Sequence, residues 1–166
     1  MLKTLKNYQI LELVEGFMKI GEMKFSSNKK FSYAVVLNDE AVKPYVKAMR
    51  EVASPGESYI QYEEKRNEII KKYAKVDADG NILLNDNKGV IFKDGEGTIA
   101  IDEINALNTE YTEVLDERNN DIKEYNELLE NDVEVNIECV NINDIPDAIG
   151  DDIFLMKLLI HMIVKS

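Results

Sequence analysis

Apolar residues recur along this chain at two different periods, and the changes between them outline a fold. From Tyr8 to Ile20, the residues Ile10, Leu13, Val14, Phe17 and Met18 keep the three-and-four spacing of one helix face, and Gly21 stands where such a helix stops. Met23 to Ser32 alternates loosely, which suits a short strand around a Ser26-Ser27-Asn28 turn. A second helix is expected on the seam Val42, Tyr45, Met49 and Val52, capped by Asn38 or Asp39. That start places Pro44 within or just past the first turn, where its missing N–H costs least. Ser54-Pro55-Gly56 breaks the run. Ser54 can cap a third helix with Pro55 at its first position, running to about Lys75 on the seam Tyr59, Tyr62, Arg66, Ile69 and Tyr73.

Between Asp77 and Ile101 the helical period is lost. Asp79-Gly80-Asn81 is a turn signal, and Ile82-Leu83-Leu84 and Val90-Ile91-Phe92 flank Asn85-Asp86-Asn87-Lys88-Gly89, a hairpin loop by length and glycine. Asp94-Gly95-Glu96-Gly97 makes a further turn, after which Thr98 to Ile101 is either a third short strand or the lead into the next helix. Asp102 to Asn131 reads as one long helix on a heptad-like seam: Ile101, Ile104, Tyr111, Leu115, Ile122, Tyr125 and Leu129, with Asn108 and Arg118 as polar intrusions. Val133 to Glu138 alternates strictly, as a half-buried strand does, and Cys139 and Val140 continue it. Asn143 to Gly150 is a loop, and Asp151 or Asp152 can cap a buried helix over the closing apolar run.

These elements predict an α+β, mainly α, fold of one domain, 1–166. Its centre is an antiparallel helical hairpin, 57–75 and 102–131, with a small β-hairpin tip. The arm, 55–131, is expected to rise from a base, 1–54 and 132–166, built of the N- and C-terminal helices and the short strand.

Charge narrows the partners. Against 20 basic residues stand 32 acidic ones, for a formal net charge of −12. Affinity for a phosphate backbone comes from clustered Lys and Arg, so neither direct nucleic-acid binding nor an anionic membrane surface is expected, whereas the charge permits solubility and attraction to a basic partner. The single Cys139 allows no intramolecular disulfide and no Cys-based zinc site. The N-terminal segment lacks a signal peptide's apolar stretch, and the C-terminal apolar run, interrupted by Lys157, falls short of the roughly 20 residues a membrane span needs.

No catalytic, cofactor or metal residues are expected. Asp77-Ala78-Asp79-Gly80-Asn81 opens like a calcium loop, but the twelfth position, which needs a bidentate Glu, is Lys88. His161 is the only histidine and has no partner near it in sequence. Glu63, Glu64 and Glu68 could meet Asp116 and Glu117 across a hairpin, yet no Glu-x-x-His pair of a di-metal bundle accompanies them, so they read as a solvated acidic face. The tyrosines are more informative. There are eight, with no Trp, and several lie on helix seams. Such rings suit either a partner interface or a seam inside one molecule. Arg-Asn-x-x-Ile-Lys-x-Tyr occurs twice, at 66–73 and 118–125. The candidate partner-binding residues are therefore Tyr59, Tyr62, Arg66, Tyr73, Tyr111, Arg118 and Tyr125, the same rings suggesting self-association as a dimer.

The order of several short patches adds a resemblance. After the opening amphipathic helix come Lys43-Pro44-Tyr45, Arg66 to Tyr73 leading into Asp77-Ala78-Asp79-Gly80-Asn81, and then Phe92-Lys93-Asp94-Gly95. The run from Glu127 to Ile137 follows, before the apolar C-terminal segment. In this order the chain resembles a family of small uncharacterised proteins encoded by phages and prophages of Gram-positive bacteria, with extra length around Val46 to Tyr62 and Gly97 to Thr112. The resemblance implies a phage origin and a host-cytoplasmic location, and carries no activity or site residues. With the charge and the tyrosines, it leads to the expectation of a non-enzymatic accessory protein that binds a host or phage protein, in the manner of an inhibitor of a host or defence factor. The alternative is a structural or assembly component of the phage particle.

Overall fold

The computed structural model describes residues 1–24 and 28–165. In chain order they form β1 (Leu2–Lys6), α1 (Asn7–Glu22), α2 (Lys29–Ala53), α3 (Glu57–Tyr73), α4 (Gly97–Glu110), α5 (Thr112–Leu129), β2 (Asp132–Asn136), β3 (Val140–Asn141), α6 (Asp147–Gly150), α7 (Ile153–Leu158) and β4 (Ile163–Val164). The fold is α+β and mainly α, as the periods predict. The chain makes two compact units, Met1–Ala53 with Lys123–Ser166, and Ser54–Ile122.

In the first unit β1 pairs antiparallel with β2, Leu2 opposite Asn136 and Lys6 opposite Asp132. The sequence reading anticipates β2 but not β1, whose two lysines blur any alternation. What makes it a strand is its partner at the far end of the chain: Leu5 and Val135 are buried on one face, and basic Lys6 lies against Glu130 and Asp132. α1 follows directly, its first turn tied by the Lys6 N–H donating to Gln9 Oε1 at 2.8 Å. It buries Ile10, Leu13, Gly16, Phe17 and Ile20. Gly16 lets α1 pack closely: a Cβ there would lie 2.9 Å from Leu159 Cδ2 and 3.2 Å from Leu158 Cβ, so both leucines would have to give way.

The expected strand over Met23 to Ser32 is not formed at its described end: Lys29 to Ser32 are helical, while the Ser26-Ser27 part of the turn lies outside the described residues. α2 therefore starts ten residues before the predicted cap, and Asn28 Oδ1 accepts from the N–H groups of Lys30 and Phe31. Pro44 sits in the helix interior, not its first turn. Asn38 is a buried side chain instead of a cap. Its Nδ2 donates to Glu138 O at 2.9 Å, and its Oδ1 accepts from Glu138 N at 2.7 Å. Residue type alone cannot separate these roles, because a short amide serves a helix end or a distant strand equally well.

Asp152 caps α7, as one of the two predicted choices, accepting from Leu155 N at 2.9 Å. The expected C-terminal helix ends early, however. A 3₁₀ turn over Ile160–Met162 leads to β4, which pairs parallel with β3. The β-branched Ile163-Val164 pair favours this extended state. Phe31, Ile10, Leu13, Val42, Ile137, Ile149, Leu155, Leu159 and Met162 form the fully buried centre of this unit.

In the second unit α3 begins at Glu57 with Gly56 as its N-cap, two residues later than a Ser54 cap would place it. α3 lies antiparallel to α4: Tyr62 meets Asn108 near one end, and Tyr73 meets Glu103 near the other. The single helix predicted over 102–131 is two, interrupted at Tyr111. Hydroxyls explain the break. Thr109 Oγ1 donates to Asn105 O, and Thr112 Oγ1 to Asn108 O and Thr109 O, and such back-bonding competes with the helical ladder.

The tip has its predicted turns but is more than a hairpin. Three short segments pair in a ring: Lys75 N donates to Ile91 O, Ile91 N to Leu83 O, and Leu83 N to Lys75 O, at 2.8, 2.9 and 2.9 Å. These positions are eight residues apart, and the turns repeat with them. Gly80 N donates to Asp77 O, Lys88 N to Asn85 O, and Glu96 N to Lys93 O. Asp77 Oδ1 accepts from Asp79 N and Asn81 N, and Asn85 Oδ1 from Asn87 N and Gly89 N. Gly80 and Lys88 take positive φ, 85° and 60°, at equivalent points.

Candidate functional site

Helical spacing puts Tyr59 and Tyr62 on one face of α3, three residues apart, and the antiparallel α4–α5 segment brings Tyr111 and Arg118 to them. The result is a graded stack. Tyr62 is the centre, 5% exposed, with ring centroids 5.7 Å from Tyr59 and 5.6 Å from Tyr111 at tilted angles of 39° and 48°. Tilted rings at this separation place edges near faces, which their quadrupoles favour. Its hydroxyl donates to Asn108 Oδ1 at 2.7 Å, so Asn108, a mere intrusion on the sequence seam, is the polar partner that lets a tyrosine be buried there.

Cations close both ends of the stack. Arg118 Cζ lies 5.5 Å from the Tyr59 centroid, and Lys65 Nζ lies 4.9 Å from that of Tyr111. The Tyr59 hydroxyl bonds Glu63 Oε1 at 3.3 Å. Burial, then the Glu63 carboxylate, pushes the Tyr59 phenol above its ordinary range, against the pull of Arg118. Lys65 is also raised, through the Tyr111 hydroxyl first and Glu110 second. Beside Tyr59 a groove opens, lined by Gly56, Glu57, Ser58, Val114, Glu117, Arg118 and Asp121. Three carboxylates thus flank one guanidinium and one aromatic ring.

Of the other candidates, Arg66 reaches the stack through Glu63, and Tyr73 lies further along α3. Arg66 is half-buried on α3 and pairs with Glu63 at 3.8 Å. Tyr73, 8% exposed, sits at the far end of α3, its hydroxyl on Glu103 Oε1 at 2.5 Å and Lys72 Nζ 4.5 Å from its ring centroid. The Tyr73 hydroxyl, and then Lys72, hold the Glu103 carboxyl below its usual range. Tyr125 belongs to the other unit, packed against its core. The two Arg-Asn-x-x-Ile-Lys-x-Tyr runs therefore end in unlike places, one tyrosine in each unit, and their arginines pair differently.

The sequence also singles out Asp77, His161 and Cys139. The Asp77 carboxylate is held low by the Asn81 side chain first and by backbone N–H groups of its own turn. His161 is partly buried, which lowers it, and nearby Lys3 lowers it further against Glu12. Cys139 is a free thiol packed at the edge of the first unit's core. Among the described residues no three His, Cys, Asp or Glu side chains are grouped to hold a metal ion, and no helix is long and apolar enough to cross a membrane. No protein-family model, curated protein or solved structure matches this chain.

Proposed function

We propose that this chain is a non-enzymatic phage accessory protein that works by binding a host or phage protein, inhibiting a host or defence factor in the host cytoplasm. What supports the reading is the Arg118–Tyr59–Tyr62–Tyr111–Lys65 stack with its acidic groove. Tyr and Arg held in place by neighbours lose little freedom on binding and are the types that dominate interface energies. Tyr62 is the buried support, and Tyr59 and Arg118 are the half-exposed groups a partner would touch. Glu57, Glu117 and Asp121 in the groove, within a chain of net charge −12, select a basic partner surface.

The test is affinity purification of tagged chain from Gram-positive host lysate, with and without phage infection, using the wild type beside Tyr59→Ala and Arg118→Ala. A partner held by the wild type and lost by both variants, with their helical circular dichroism unchanged, is the expected outcome. Recovery of the same proteins by all three, or of none, would count against it. The competing role as a particle component is decided by mass spectrometry of purified virions, where a stoichiometric copy number would replace the host-directed reading.

A further inference from the structure

β1 has an open edge, and its sequence fits its own reverse. Met1 and Ile137 exchange two backbone hydrogen bonds, at 2.7 and 2.8 Å, and Asn7 N donates to Asn131 O at 3.1 Å. Bonded positions alternate in an antiparallel pair, so the odd-numbered residues of β1 face β2, and Leu2 and Thr4 direct their backbone groups away from it. The same alternation turns Glu134 and Glu138 outward on the other strand, and there α2 closes the edge. The Tyr45 hydroxyl donates to Glu134 O at 2.7 Å, and the Asn38 amide meets both backbone groups of Glu138. No described residue does the same for Leu2 or Thr4; Thr4 is exposed, and Leu2 is 63% exposed.

We propose that this edge pairs with the same edge of a second copy, β1 against β1, antiparallel with the two-fold axis at Thr4. Reversing Leu-Lys-Thr-Leu-Lys about Thr4 sets Thr4 opposite Thr4, Leu2 opposite Lys6, and Lys3 opposite Leu5. No lysine faces a lysine, and Thr–Thr is a favourable cross-strand pair. Lysines commonly guard exposed edges, but these two are engaged within their own chain. Lys3 Nζ donates to His161 O at 2.5 Å, and Lys6 Nζ to Glu130 O at 2.7 Å. The product is a four-stranded sheet in which the two Thr4 residues exchange N–H···O bonds and Leu2 is covered by the partner's Lys6 stem. A five-residue edge buries much less than the standard interface of about 800 Å² per partner, so the dimer is weak. With −12 on each chain, it strengthens as salt screens the repulsion. This inference is independent of the partner-binding reading.

Sedimentation equilibrium of the full chain over rising concentration, at low and moderate salt, tests it. The wild-type mass should climb from 19.0 kDa toward twice that value, further at moderate salt. Thr4→Pro removes only an outward N–H and leaves the β1–β2 ladder intact, so it should keep the circular dichroism of the wild type and stay monomeric. In a Cys139→Ser background, Thr4→Cys should form a disulfide dimer on mild oxidation, and Asn87→Cys at the exposed tip should not. A wild type that is monomeric throughout, a Thr4→Pro variant that associates as well as the wild type, or a Thr4→Cys variant that resists cross-linking would each overturn the proposal. A monomer whose β1 amides became protected only when a foreign protein was added would assign the edge to that protein instead.

Discussion

Replacing Asn38 by Leu separates a buried edge-closing amide from a helix cap. Asn38 is 1% exposed, and its side chain makes both hydrogen bonds to the Glu138 backbone, at 2.9 and 2.7 Å. Leu keeps the branched four-atom skeleton but carries larger methyls, so the change leaves no cavity, adds some crowding, and strips partners from one N–H and one C=O. An unsatisfied buried group costs about 1–3 kcal/mol, and these two are only partly buried, so the sum is about 2–4 kcal/mol. For a chain of this size each kcal/mol moves Tm by about 2–4 °C, which gives a fall of about 4–16 °C. The internal yardstick is Asn28→Ala, which removes the true cap of α2 and should cost about 1 kcal/mol. Thermal and urea unfolding followed by far-ultraviolet circular dichroism compares the two. The Glu138 amide should in addition exchange faster in Asn38→Leu alone. If Asn38→Leu melts no lower than Asn28→Ala, the edge-closing role is wrong.

Three further outcomes follow from the packing and the charges. Gly16→Val should destabilise by about 1–3 kcal/mol through overpacking against Leu158 and Leu159, and more than Gly16→Ala, whose helix propensity offsets part of the strain; denaturant midpoints in the order glycine, alanine, valine check it. Tyr62→Phe should cost about 1 kcal/mol by leaving Asn108 without its donor, whereas Tyr59→Phe, with a long bond to an accessible carboxylate, should change stability little; equal losses would contradict the burial gradient. Carboxyl NMR should find Glu103 titrating below the ordinary glutamate range. A depressed folded pKa means that the Tyr73 and Lys72 contacts stabilise the fold above that range and lose their effect as pH falls through the Glu103 midpoint, and Tyr73→Phe should move the midpoint upward.

Much of the fold was legible because local chemistry decides it. The three-and-four spacing marks α1 and α3, and Asp77, Asn85 and the glycines beside them mark the turns of the tip. What escaped was set at long range. β1 is a strand because β2 exists, and Asn38 is an interior residue because Glu138 lies beside it. The early start of α2 was hidden by a plausible cap ten residues too late, and the eight-residue period of the tip by turns that match in backbone more than in residue type. In the candidate site the spacing correctly put Tyr59 and Tyr62 on one face. It could not show that Tyr62 would turn inward, or that the seam of α5 passes from one unit to the other before Tyr125. Asn108 could have been found: a polar residue on an apolar seam facing tyrosines is a ready hydrogen-bond acceptor.

The ring at the tip also sets an order of events during folding. Its bonds join residues eight or sixteen positions apart, from Lys75 to Leu83 and Ile91, so closing it costs little chain entropy. Once closed, it holds the end of α3 near the start of α4 and lets the helical pair zip from there. β1 must instead wait for β2, which follows α3, the whole tip, α4 and α5 in chain order, so the first strand emerges from the ribosome without its partner. Pulse-labelled hydrogen exchange should therefore find the amides of Lys75, Leu83 and Ile91 protected before those of Leu5 and Val135, and the opposite order would contradict this sequence. A nascent chain of this protein would carry a finished tip while its sheet was still half made.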